Sequence, residues 1–166
     1  MTDPAGFVEG ILDETRDEIN RADTKASILL GGTGVAVAAL VGAMYAAKIK
    51  TDDLDAIIWA FGLMSAAAFA ASIALLGAAV MPRIGKATPG RARYFMDHAQ
   101  YDDINELQKA IEFELTDVEL RHLHQVRDLA RIVKTKYQLA ILGEWSAGVG
   151  ILLACLTAIT YAKSTP

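Results

Sequence analysis

Cysteine is nearly missing from this 166-residue chain, which has only Cys155. A lone thiol excludes a disulfide framework and any metal site built on paired cysteines. Proline is scarce as well, with 4 residues, so long helices meet few breakers. Basic charge is in deficit: 16 Lys and Arg stand against 20 Asp and Glu, for a net charge of −4. That balance argues against a nucleic-acid binder. The most informative absence is local. Charged residues make up 22% of the chain, yet residues 26–47 and 56–82 contain none, and 137–162 contain one, Glu144. Each run exceeds the ~20 residues needed to cross a bilayer. None shows the polar face of a soluble amphipathic helix or the alternation of a barrel strand. The 53% apolar content therefore hides an all-α integral membrane protein with three transmembrane helices. A secretory signal peptide is not expected, because an acidic segment precedes the first apolar run.

The pattern divides the chain into four parts. Residues 1–25 form a charged amphipathic helix, with Asp3 as a cap, Pro4 at the first helical position and an apolar stripe of Phe7, Val8, Ile11, Leu12, Ile19 and Ala22. Residues 26–82 form a transmembrane hairpin around a polar turn at 48–55 and stop at Pro82. Residues 83–136 form a small helical cytoplasmic region. Capping boxes at Asp103/Glu106 and Thr116/Glu119 predict one helix over 103–115 and a longer one from 117. Val118, His122, Val126, Leu129 and Val133 give the longer helix one apolar stripe. Residues 137–166 hold the third span and a short tail. No breaker separates the polar helices from the first and third spans, so each pair is expected to be continuous. Of the 16 bases, only Lys48, Lys50 and Lys163 lie on the side of the 48–55 turn. The positive-inside rule then puts the N-terminus and 83–136 in the cytoplasm and the C-terminus outside.

Four constellations could carry function. Small residues recur every fourth position: Gly34, Ala38, Gly42 and Ala46; then Gly62, Ala66, Ala70, Ala74 and Ala78; then Ser146, Gly150, Ala154, Ala158 and Ala162. Such grooves let helices approach closely in lipid, within one chain or between copies. Glu144 is the only ionisable residue inside a span, eight residues past Lys136, or ~12 Å along a helix. An acid at that depth is a functional hypothesis. It can bond Ser27 or Thr33, pair with Lys25, stay protonated, or meet a neighbouring subunit, with Gly150 and Ala154 on the same span. Arg21, Asp23, Lys25 and Lys136 crowd the membrane boundary, where an Asp23–Lys136 pair would couple the polar helices to the spans. Arg83, Lys86, Arg91 and Arg93 form a basic cluster suited to membrane anchoring, lipid headgroups or a soluble phosphate. His98, His122 and His124 lack metal-ligand spacing, and no catalytic fingerprint is present, so neither a metal cofactor nor enzyme activity is expected.

Some of these residues also match a known pattern. Ala22-Asp23-Thr24-Lys25-Ala26-Ser27-Ile28-Leu29-Leu30-Gly31 leads into the hairpin, and Tyr94-Phe95-Met96-Asp97 follows it. Gln125-Val126-Arg127-Asp128-Leu129-Ala130-Arg131-Ile132-Val133-Lys134-Thr135-Lys136-Tyr137 then enters the last span. Over residues 15–162 the chain resembles the transmembrane effector of the Pycsar (pyrimidine cyclase) anti-phage defence systems. The resemblance implies a partner nucleotide cyclase, cCMP or cUMP as activating ligand, and impairment of the bacterial inner membrane that kills the infected cell. No β-rich nucleotide-binding fold is legible, so a sensing site would be built from helices between subunits. Three spans enclose no pore, which favours a homo-oligomer. The rival expectations are a membrane scaffold that recruits a cytoplasmic partner through its acidic helices, and an ion channel centred on Glu144.

Overall fold

The computed structural model describes residues 4–47, 55–82, 101–115 and 118–164. Its described residues form four helices and no strand: α1 (Pro4–Ala46), α2 (Ala56–Val80), α3 (Ile104–Leu115) and α4 (Val118–Ser164). Three of them, α1, α2 and α4, are long and apolar enough to cross a membrane. As the absence of breakers implies, α1 and α4 run without interruption for 43 and 47 residues. The chain is an all-helical membrane protein with three spans.

The helix ends follow from local chemistry. Proline costs nothing at the first position of α1, where its missing N–H has no helical partner. After α2, the Met81 amide donates to the Gly77 carbonyl at 3.0 Å, and Pro82 then ends the helix. Asp103 caps α3: its Oδ1 accepts the Asn105 backbone N–H at 2.9 Å. Thr116 lies outside the described residues, as do the 48–54 turn and 83–100.

The described residues fall into two compact units, each discontinuous in sequence. One comprises 4–21, 82, 101–115 and 118–134. Here Val8, Leu12, Ala110 and Gln125 are buried. Phe7, expected on the apolar stripe, is 67% exposed, because the inward positions of α1 begin one residue later at Val8.

The other unit comprises 22–47, 55–81 and 135–164 and contains the apolar runs. Ala26, Leu76, Ala79 and Ala140 form its core, flanked by Leu29, Leu30, Val80 and Leu139. The buried residues of α2 are Ile58, Ser65, Phe69, Ser72, Leu76 and Ala79. Their spacing is a heptad pattern, with the 3.5-residue period of a left-handed helix pair. α4 meets this seam antiparallel. A Cβ added to Gly143 would lie 2.7 Å from Leu76 Cγ, and one on Gly150 would lie 3.1 Å from the Phe69 ring. One heptad further, Gly62 faces Thr157. Bulky side chains of α2 thus occupy space that only glycine leaves open on α4.

Apart from Gly62 and Gly150, the four-residue stripes do not form this seam. Ala66, Ala70, Ala74 and Ala78 of α2 are exposed, and so are Gly34, Ala38, Gly42 and Ala46 of α1. The reason is geometric. At ~3.6 residues per turn, a step of four advances ~40° around the axis, so such a stripe drifts off a seam that alternates threes and fours.

Candidate functional site

The three spans of the membrane-spanning unit share a polar contact at one end of their apolar runs. Lys136 directly precedes the last run and is only 4% exposed. Its Nζ donates to Asp23 Oδ1 on α1 and, at 3.0 Å, to the Ala79 carbonyl on α2. That carbonyl lies in the last turn of α2, where carbonyls lack intrahelical donors and the helix dipole is negative. One ammonium therefore joins three helices, answering a carboxylate and a helix end together. Of the boundary residues singled out above, the structure brings Asp23 and Lys136 into contact. It does not bring in Arg21, whose guanidinium pairs with Glu18 at 3.0 Å, both side chains more than a third exposed. Lys25 is exposed and makes no ion pair among the described residues.

Deeper in the span, two hydroxyls of α2 occupy equivalent heptad positions but differ in state. Ser65 Oγ donates to the Gly150 carbonyl at 2.8 Å, so the glycine that admits Phe69 also supplies an acceptor. Ser72 is fully buried, and its Oγ has no partner among the described residues. At the corresponding level of α4, Leu76 fills the space beside Gly143. Gly150 is thereby used within the protomer, and Ala154 is half-buried.

Glu144 stands apart from all of this. It follows Gly143 on α4 but points off the seam and is exposed beside Trp145, itself 73% exposed. The partners suggested by the sequence do not reach it. The Thr33 hydroxyl donates to the Leu29 carbonyl at 2.8 Å, and neither Ser27 nor Lys25 contacts the acid. Among the described residues Glu144 has no hydrogen bond or ion pair. Arg83, Lys86, Arg91 and Arg93 lie outside the described residues, as does the 94–97 element. No cluster of His, Cys, Asp or Glu able to hold a metal occurs among the described residues.

Sequence reasoning named Gly62 and Gly150 as close-packing positions but missed Gly143, the register that joins them, and the two serines. The signal was present: Gly62, Phe69 and Leu76 run seven apart against Gly143, Gly150 and Thr157, also seven apart. Counting by sevens rather than fours exposes the pairing.

Fold and site together define a three-span helical membrane protein whose spans are closed by a glycine seam and one buried lysine. The model of the Pycsar effector protein domain matches residues 7–163 of the chain. The chain belongs to that family and is an anti-phage defence effector. Comparison with curated proteins and with solved structures returns no match.

Proposed function

We propose that the protein is a non-enzymatic effector that impairs the bacterial inner membrane when a partner cyclase produces cCMP or cUMP. The N-terminus and residues 83–136 lie in the cytoplasm, and the C-terminus lies outside. Residues 1–25 and 83–136 receive the signal, and the spans of 26–82 and 137–166 execute it. Arg83, Lys86, Arg91 and Arg93 supply the cationic surface for the ligand's phosphate. Arg21, Asp23, Lys25 and Lys136 transmit the change at the membrane boundary. Copies of the chain assemble, since three helices cannot surround an aqueous path.

The observation that best supports this reading is the continuity of α1 and α4. Each crosses from one compact unit into the other without a break, at 21–22 and at 134–135. A ligand that binds one arrangement of the polar helices more tightly shifts the whole population toward it. Rigid helices carry that shift into the spans.

The test uses purified protein in liposomes loaded with a small fluorescent dye. cCMP or cUMP is added over a wide concentration range, with cAMP as control. Release on addition of a cyclic pyrimidine nucleotide, lost when the four cations are replaced by Gln, supports the reading. Intact vesicles with both nucleotides at every concentration rule out direct gating.

A further inference from the structure

Glu144 is an acid inside a span, exposed on the surface of the protomer and without a partner among the described residues. Lipid tails offer it no donor, so the group calls for one from outside the chain. The same face of α4 carries Gly148, Ile151 and Cys155 at alternating steps of four and three, all exposed. Space around Gly148 is open, in contrast to Gly143 and Gly150 on the seam. A matching face exists on α1. Ser27, Gly31, Gly34 and Ala38 follow the same alternation and are exposed, with nothing near the Cβ positions of either glycine. Ser27 is the polar member of that face. Thr15, Thr33, Thr157 and Thr160 return their hydroxyls to carbonyls of their own helices, whereas the Ser27 hydroxyl makes no bond among the described residues.

The two faces also match in level. α1 and α4 both pack against α2 in the opposite sense, so their spans run parallel. Ala26 and Ala140 share one core cluster, which sets a common height. Glu144 is four residues beyond Ala140, ~6 Å further along. Long side chains on a helix lean back over the preceding turn, which returns the Glu144 carboxyl to the height of Ser27.

We propose that the missing partner of Glu144 is a second copy of this chain. The Glu144–Cys155 face of α4 packs in parallel on the Ser27–Ala38 face of α1 in the next protomer. The neighbour's Ser27 hydroxyl donates to a Glu144 carboxyl oxygen. The two surfaces are different, so the contact is heterologous, and a pair of protomers keeps one free face of each kind. Protomers of equal height and orientation then propagate around an axis normal to the membrane and close into a ring. This deepens the reading that the effector acts as an assembly and names the surface that builds it.

The experiment is cross-linking between two differently tagged copies expressed together, both carrying Cys155→Ala. One copy carries Ala38→Cys and the other Ile151→Cys, which lie at nearly equal height on the two faces and leave Ser27 and Glu144 native. Membranes are oxidised with copper phenanthroline, with and without cCMP or cUMP. A disulfide-linked species bearing both tags is expected. Pairs in which both copies carry Ala38→Cys, or both carry Ile151→Cys, are expected to give no cross-linked product. A single chain with both substitutions is expected to give a ladder ending at the ring size. Cross-linking of like pairs, an intrachain disulfide in the doubly substituted chain, or no product in any condition overturns the proposal. Glu144→Leu, with the other positions native, should lower the assembled fraction by roughly tenfold in gentle detergent, the loss of one interhelical hydrogen bond, while Glu144→Gln retains it. Dye release measured in parallel separates the two readings. A ring without leakage refutes the membrane-damage function alone, and leakage without the Ala38–Ile151 cross-link refutes this interface alone.

Discussion

Replacing Gly143 with alanine tests the seam on which the span packing rests. The new methyl carbon would lie 2.7 Å from Leu76 Cγ and 2.9 Å from its Cδ2, and Leu76 is fully buried with its backbone nitrogen 3.4 Å away. Neither side chain nor backbone has room to yield, so α2 and α4 must separate locally. Overpacking of this kind costs about 1–3 kcal/mol. Alanine also improves helix propensity over glycine by about 0.8–1.0 kcal/mol, which masks part of the loss. Gly148→Ala removes that ambiguity. It makes the same chemical change five residues on, where nothing lies within 4 Å. The propensity gain cancels between the two variants, leaving Gly143→Ala less stable than Gly148→Ala by about 1–3 kcal/mol. Thermal unfolding in a detergent that keeps the chain monomeric, so that Gly148 faces no neighbour, followed by circular dichroism, measures the difference. Equal midpoints for the two variants, or a less stable Gly148→Ala, would refute the argument that Leu76 occupies the space left by Gly143.

Three further outcomes follow from the polar contacts. Lys136→Met leaves Asp23 and the Ala79 carbonyl unanswered. It should cost about 2–3 kcal/mol in the same assay, less than for a fully enclosed pair because the Asp23 side chain is 35% exposed. Ser65→Ala, which removes the donor to the Gly150 carbonyl, should cost about 0.6 kcal/mol, whereas Ser72→Ala removes a buried hydroxyl with no described partner and should leave stability unchanged or raised. Asp103→Ala should fray α3 by about 1 kcal/mol, read as faster amide hydrogen exchange confined to its first turn.

Much of the fold was legible in where charge is missing. The three stretches with at most one charge give three spans, and the lack of proline and glycine punctuation near Lys25 and Lys136 gives two unbroken helices. Those signals act locally along the chain and need no partner to be read. The pairing of Asp23 with Lys136 was accessible because opposite charges at matching ends of two spans have few other partners. The azimuth of each helix was not accessible. In lipid both faces of a span are apolar, so hydrophobic patterning does not separate inside from outside. Alanine is small enough to occur on either face, which is why Ala66, Ala70, Ala74 and Ala78 suggested a groove that the seam does not use. The exposure of Glu144 was illegible for the same reason. Its depth follows from counting residues, but its direction follows only from the two α4 glycines that lie on the seam, Gly143 and Gly150.

The placement of Lys136 bears on the order in which the protein is made. Chains enter the membrane from the N-terminus. Asp23 and the Ala79 carbonyl are therefore synthesised and set in place well before Lys136 emerges from the ribosome. Both would be intolerable waiting alone in hydrocarbon, but each lies at the end of an apolar run, where water can hold it in the interval. Arrival of the third span then replaces that water with one ammonium. The hairpin of the first two spans is an unfinished intermediate, and the last helix acts as the key that completes it. A ribosome stalled before residue 136 should leave a hairpin that biogenesis factors recognise as incomplete, and the full chain should escape them.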